Sequence, residues 1–298
     1  MLGIDRINTL LFTLIAFLST FVAAQNCIGV IPAGGGNQFW SDVEAGANAA
    51  GKELATAIYF RGPKDEERQE AQRNAIHIFK KMGCKALVLA PDTQERAHDV
   101  ALLKQQDIPT IYIDRDPGGA EVVAVVGTDN VAAGKLAGRE MANRLHGKGN
   151  ILVFQVVQGV ASTDMRTAGF TETSAQGGLH IVDVIYLGSS IGAARQRCAD
   201  AIRRYRGHID GIFTPNESTT MAAYLTLRNE KTDKHLIHIG FDTNDTLNIA
   251  LKNGEIDGLV VQRPYEMGYI AVKLAAKAAE KLPIQNRFVD TGVQYLTK

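Results

Sequence analysis

The chain has 298 residues, 45% of them hydrophobic and 21% charged, with 32 Lys and Arg against 32 Asp and Glu. That length suffices for two domains that each bury a core of their own. The zero net charge excludes the basic field that recruits nucleic acid or an anionic membrane, so the partner expected is a neutral molecule.

Residues 1–24 combine a weakly basic start at Arg6, an apolar run from Leu10 to Val22, and small residues Val22 and Ala24 ahead of Gln25. This is the layout of a cleavable secretory signal, and the run is shorter than the roughly 20 residues a membrane span needs. Cys27 follows AAQN, which lacks the small residue a lipoprotein signal places before its cysteine, so a free periplasmic protein is predicted. The first strand, over 28–34, runs into Gly34, Gly35 and Gly36, and Asn37 stands where a helix N-cap belongs, with Phe39 and Trp40 behind it. In an open α/β sheet ligands bind outside the carboxyl ends of the strands, so an amide and two aromatic rings face a crevice there. Flat apolar rings suit the C–H faces of a sugar, whereas a phosphate site would expose backbone N–H groups and a lysine. Val43, Ala47, Ala50 and Leu54 then fall on one face of a helix.

Strands follow at 56–60, 86–91, 109–114 and 122–128. After the segment GTDNVAAGKLAG they resume at 151–157, 181–188, 211–216, 237–242 and 258–262. Near-continuous apolar strands alternating with helical patterns imply parallel sheets covered on both faces. No Pro/Gly/Ser linker marks the join between the two sets. The predicted fold class is therefore α/β, as two Rossmann-like, doubly wound parallel-sheet lobes joined by crossing hinge strands. The assignment is a signal peptide over 1–24, an N-terminal lobe from 25–128 plus 263–289, and a C-terminal lobe from 129–262 plus 290–298. The tail RFVDTGVQYLTK is expected to return as a further strand.

Polar residues crowd the strand ends: Asn37, Asp92, Asp114 with Arg115, Asn216, Asp242 and Gln262. Any one of them alone is accounted for as a cap or turn residue, but the set together marks a site. A carboxylate beside a guanidinium, as in Asp114–Arg115, reads a vicinal diol from both sides, although a surface ion pair would look the same. Arg166 starts a helix, where a cation opposes the macrodipole unless an anionic or polar group engages it. Three consecutive glycines do not make a dinucleotide fingerprint, the histidines lack metal-ligand spacing, and neither a nucleophile elbow nor a P-loop occurs. No cofactor, metal or catalytic residue is predicted. Cys27 immediately precedes IGVIPAG and Cys84 immediately precedes KALVLAP; in an oxidising compartment they can bridge, or they can remain buried thiols, while Cys198 reads as a core position.

Seven segments in register resemble the type I periplasmic sugar-binding proteins of ABC transporters, nearest the ribose-binding branch. They are GGGNQFWSDVEAGANAAGKELA, IPTIYIDRD, GTDNVAAGKLAG, STDMRTAGF, GIFTPNESTTMAAYLTL, IHIGFDTND and GLVVQRPYEMGYIAVKLA, and they cover nearly the whole mature chain. The resemblance implies that Asn37 bonds a ring hydroxyl and that Phe39 and Trp40 stack on the sugar. It implies a grip by Asp114 and Arg115 from the first lobe, and by Arg166, Asn216, Asp242 and Gln262 from the second lobe and its crossings. Phe241 would form the second lobe's wall. At YLGSSIG, ribose binders place an aromatic residue and this chain has Ser189 and Ser190, which points to a ligand larger or more polar than ribose. Repressors of the LacI type share the fold and many of these residues, but carry a DNA-binding helix-turn-helix where this chain has its signal. The function implied is a monomeric exported receptor that closes by hinge motion on a monosaccharide and delivers it to the membrane permease of an ABC transporter. A sensing subunit for a histidine kinase or chemoreceptor is the rival of the same class. An exported sugar-processing enzyme using Asp114 and Asp242 as acid and base is the rival of another.

Overall fold

The computed structural model describes residues 26–64, 69–188, 190–230, 232 and 234–298. The signal expected over 1–24 lies outside the described residues, as does Ser189. The first run of elements is β1 (Cys27–Ile31), α1 (Gln38–Glu53), β2 (Ala57–Phe60), α2 (Gln69–Lys81), β3 (Ala86–Leu89), α3 (Arg96–Lys104), β4 (Thr110–Ile113) and β5 (Ala124–Gly127). The second is α4 (Asn130–Arg144), β6 (Gly149–Gln155), α5 (Ala161–Gln176), β7 (Leu179–Tyr186), α6 (Ile191–Arg204), β8 (Gly211–Phe213), α7 (Glu217–Leu227), β9 (Ile237–Phe241), α8 (Asp245–Asn253) and β10 (Gly258–Val261). The chain closes with α9 (Pro264–Ala279), β11 (Phe288–Asp290) and β12 (Gln294–Leu296).

Two six-stranded sheets result, in the orders β11-β5-β4-β3-β1-β2 and β12-β10-β9-β8-β6-β7. The orders match strand for strand, so one doubly wound pattern is folded twice, with the strand order reversing at β1/β3 and at β6/β8. All described pairings are parallel except that of β10 with β12. The tail forms two short strands rather than one: β11 extends the first sheet beside β5 and β12 extends the second beside β10. Gly292, at a φ of 73°, lies between them, and the Thr291 N–H donates to the Gly127 carbonyl. The chain thus passes between the sheets three times, after β5, after β10 and after β11.

Alternate residues of each strand enter opposite faces of its sheet, which is why the strands read as unbroken apolar runs. Val30, Val88, Ile111 and Val126 pack under α1 and α9, while Ile31, Leu87, Leu89 and Tyr112 pack on the other face with Phe79 and Leu103. Helices α4 and α5 touch backbone to backbone. A Cβ on Gly134 would stand 2.0 Å from the Arg166 carbonyl oxygen, and one on Gly169 would stand 2.3 Å from that of Val131. That close approach sets the height at which Arg166 leaves α5.

Of the two arrangements the sequence allows for Cys27 and Cys84, the structure has the disulfide. The parallel register places Ile28 opposite Ala86 and so Cys27 opposite Lys85, and Cys84, one residue earlier, has its Cα 4.6 Å from that of Cys27. Cys198 is free and buried. No helix among the described residues is long and apolar enough to cross a membrane.

Candidate ligand-binding site

The carboxyl ends of the two sheets face one another across a cavity of about 30 Å3. Its lining comes from Asn37, Phe39, Trp40, Asp114 and Arg115 on one side and from Ser162, Arg166, Asn216, Glu217, Asp242 and Gln262 on the other. The space holds about two water molecules, so a larger ligand requires the lobes to part. Depressions of about 270, 300 and 310 Å3 elsewhere gather no buried charged side chain. Among the described residues, no group of three or more His, Cys, Asp or Glu is placed to hold a metal ion.

Each lining residue is placed by its element. Asn37 caps α1, its Oδ1 accepting from the Trp40 N–H at 3.1 Å. Asn216 caps α7 in the same way, its Oδ1 taking the Thr219 N–H at 3.1 Å and the Thr219 hydroxyl at 2.7 Å. Capping and ligand binding are therefore compatible here: with Oδ1 spent on the helix, the amide N–H groups are the end left for a ligand. Asp114 and Asp242 follow β4 and β9 at equivalent places, and both adopt a φ of 62°. Their N–H groups donate to Val126 and Val260 on the next strand. A left-handed backbone costs an L-residue roughly 1–2 kcal/mol, and it recurs here at two of the carboxylates that line the cavity, Asp114 and Asp242.

The charges interlock. Arg115 Nε donates to Asp114 Oδ2 at 3.2 Å, and Gln262 Nε2 donates to Asp242 Oδ1 at 2.9 Å. Arg166 is held from behind, with Nε donating to Asn130 Oδ1 at 2.8 Å and Nη1 to the Pro215 carbonyl at 3.0 Å. Its Nη2 reaches to 3.7 Å from Asp114 across the cleft, and its Nη1 lies 4.0 Å from Asp242. Burial pushes the Asp242 carboxyl up to about 6, against the pull of Arg166 and Gln262 and with the repulsion of Glu217 and Asp114. Gln262 Oε1 is buried without a hydrogen-bond donor among the described residues. Donors and acceptors thus alternate around one small space, which is the arrangement that recognises hydroxyl groups, each of which both donates and accepts.

Three of the residues implied by resemblance sit otherwise than the stacking picture suggests. Phe241 does not line the cavity; it is fully buried in β9, against Phe213 with centroids 6.0 Å apart and under the Arg166 guanidinium at 4.7 Å. Neighbouring strand residues point to opposite faces, so Phe241 enters the face of its sheet packed against α4 and α5 while Asp242, just past the strand end, reaches the cleft. Phe39 and Trp40 line the cavity but stand edge to face, at an interplanar angle of 89°, and cannot offer parallel plates. Asp92 does not line the cavity; its side chain is 1% exposed and pairs with Arg96 at 3.1 Å. Ser190 is exposed and stands at the N-cap position of α6. Ser162 and Glu217 were not singled out in the sequence. A spacing of four from Arg166 on one helix signals Ser162, whereas an acid in a first turn reads as ordinary dipole matching, which conceals Glu217.

Residues 28–282 match the model of the periplasmic binding protein domain. The chain belongs to the periplasmic binding protein family. As a periplasmic binding protein of this type it is a solute-binding receptor and not an enzyme, and the family's compartment is the periplasm. It is 24% identical to the ribose import binding protein RbsB of Haemophilus influenzae over 92% of this chain and 94% of that one. The structure superposes with a TM-score of 0.85 on the periplasmic component of an ABC-type sugar transport system from Hahella chejuensis, at 34% identity over 91% of this chain and 100% of that chain. It superposes equally, at 0.85 and 32% identity over 91% and 95% of the two chains, on an Agrobacterium vitis ABC transporter solute binding protein with bound D-fucose.

Proposed function

We propose that this periplasmic binding protein takes a monosaccharide, or a similarly small polyhydroxylated molecule, between lobes formed by 25–128 plus 263–289 and by 129–262 plus 290–298. The closed form delivers it to the permease of an ABC transporter, after export directed by residues 1–24. The observation that carries the reading is the convergence of three carboxylates, two guanidinium groups and three side-chain amides from both sheets on one cavity, beside Phe39 and Trp40. Contacts from both sides exist together only when the lobes are closed, so the ligand's preference for the closed form drives closure. Sugars and sugar transport stand in the descriptions of the relatives above, which supports this ligand class.

A thermal-shift screen of pentoses, hexoses, deoxysugars and polyols tests it. A ligand at about a thousand times its Kd should add about 4 kcal/mol of stability. If that panel leaves the transition unmoved while an amino acid or a nucleotide raises it, the sugar reading is wrong.

A further inference from the structure

Glu217, the first residue of α7, is 6% exposed. Its own helix does not depend on its side chain, because Asn216 caps Thr219. Within the second lobe, Asn244 Nδ2 donates to its Oε1 at 2.9 Å and fixes the carboxylate. Its other bonds cross the cleft: the Phe39 N–H donates to Oε2 at 3.3 Å and the Gln38 N–H to Oε1 at 3.5 Å. Gln38 and Phe39 are the first two residues of α1, whose N–H groups find no partner inside their helix. Asn37 already serves Trp40. A carboxylate from the second lobe thus completes the positive end of a helix in the first.

We propose that Glu217 is an interlobe latch, pre-set by Asn244, that docks on the α1 N-terminus when the cleft closes and so sets the open–closed equilibrium on which affinity depends. The proposal rests on the hinge closure stated under the proposed function. On opening, the carboxylate and both N–H groups return to water, so the latch contributes only the difference between protein and water partners. For bonds to a charged group that difference shifts the closed-to-open ratio by about 10- to 100-fold. Because the closed form is the one that holds ligand, loss of the latch weakens every ligand by a common factor. Loss of a direct ligand contact would instead change the affinity ratios among ligands. This separates the two roles for a residue that also lines the cavity.

Spin labels on introduced Lys80→Cys and Gln196→Cys, one exposed position on each lobe, report cleft spacing by pulsed dipolar spectroscopy. The wild-type pair is measured alone and with D-ribose, D-fucose and D-arabinose, and the same sugars are titrated by calorimetry. Glu217→Ala and Glu217→Gln remove the latch charge, and Gln38→Pro attacks it from the other lobe. Proline is favoured at the first helical residue, and Asn37, at φ −118° and ψ 164°, already has the backbone that precedes proline, so α1 stays intact. In each variant the sugar-free spacing should shift toward the open form, and every sugar that binds should weaken by the same factor. Wild-type sugar-free spacing in both Glu217→Ala and Gln38→Pro would overturn the latch, as would altered affinity ratios in Glu217→Ala. If the wild-type spacing ignores every sugar, the ligand reading fails on its own, and the sugar-free comparison still decides the latch.

Discussion

Truncation of Arg166 to alanine separates what its guanidinium does for the fold from what it does for a ligand. The group satisfies two buried acceptors, Asn130 Oδ1 and the Pro215 carbonyl, and faces Asp114 at 3.7 Å and Asp242 at 4.0 Å. Orphaned buried acceptors cost roughly 1–3 kcal/mol each, and breaking a buried ion pair costs about 3–5 kcal/mol in all. Since one guanidinium makes all of these contacts and their costs do not simply add, Arg166→Ala should lose about 3–5 kcal/mol in the ligand-free state. The pH dependence has a definite sign. Asp242 has a folded-state pKa of about 6 against an ordinary 3.8, so its ionisation weakens the fold: the penalty is absent at pH below about 4, grows between 4 and 6, and is constant above. Without Arg166 the upper edge of that window moves beyond 6, and the variant's deficit should be larger at pH 8 than at pH 5. Urea titrations at the two pH values, with far-UV circular dichroism, measure this. Affinity for a sugar should fall about 100- to 1,000-fold, and Arg166→Lys should recover only part because an ammonium lacks the planar fork. Equal deficits at pH 5 and 8 would refute the guanidinium's hold on Asp242, and wild-type affinity would remove Arg166 from the site.

Replacing Cys27 and Cys84 together by alanine opens a cross-link spanning 57 residues, and guanidinium titration should show a loss of about 2–4 kcal/mol; an unchanged midpoint would mean the bridge does not form in solution. His238 is held by burial at a pKa of about 4, below its ordinary 6.5 despite Asp257 nearby, so the unfolded chain takes up a proton that the folded one refuses. Stability from this group is therefore lost as pH falls from about 6.5 to 4, by roughly 3 kcal/mol, and His238→Gln should flatten that limb of a pH–stability curve. An acid limb of unchanged steepness in the variant would assign it to other groups. Gly134→Ala places a methyl 2.0 Å from the Arg166 carbonyl oxygen and should cost about 1–3 kcal/mol while weakening ligand binding, since α5 must move and carries Arg166 with it. A stable variant with full affinity would show that the helix contact does not position the site.

The fold class is legible in the sequence because each strand is buried on both faces and each helix on one, so apolar runs and helical spacing repeat element by element. The strand-end residues are legible for a local reason too: Asn37, Asp114, Asn216 and Asp242 each sit where a strand gives way to the next segment, and that place opens on the crevice in both sheets. Tertiary structure alone decides what depends on register and on contacts between distant segments. Which face Phe241 takes follows from the pleat of β9, and it puts the ring under Arg166 instead of in the cleft. The angle between Phe39 and Trp40 follows from their packing over β1 and β3, and the split of the tail into two strands follows from the turn at Gly292. Glu217 is the extreme case, since its partners across the cleft lie 178 and 179 residues away. A carboxylate in a first turn looks the same in sequence whether it faces water or closes on the end of another lobe's helix, and only the meeting of the two lobes tells them apart.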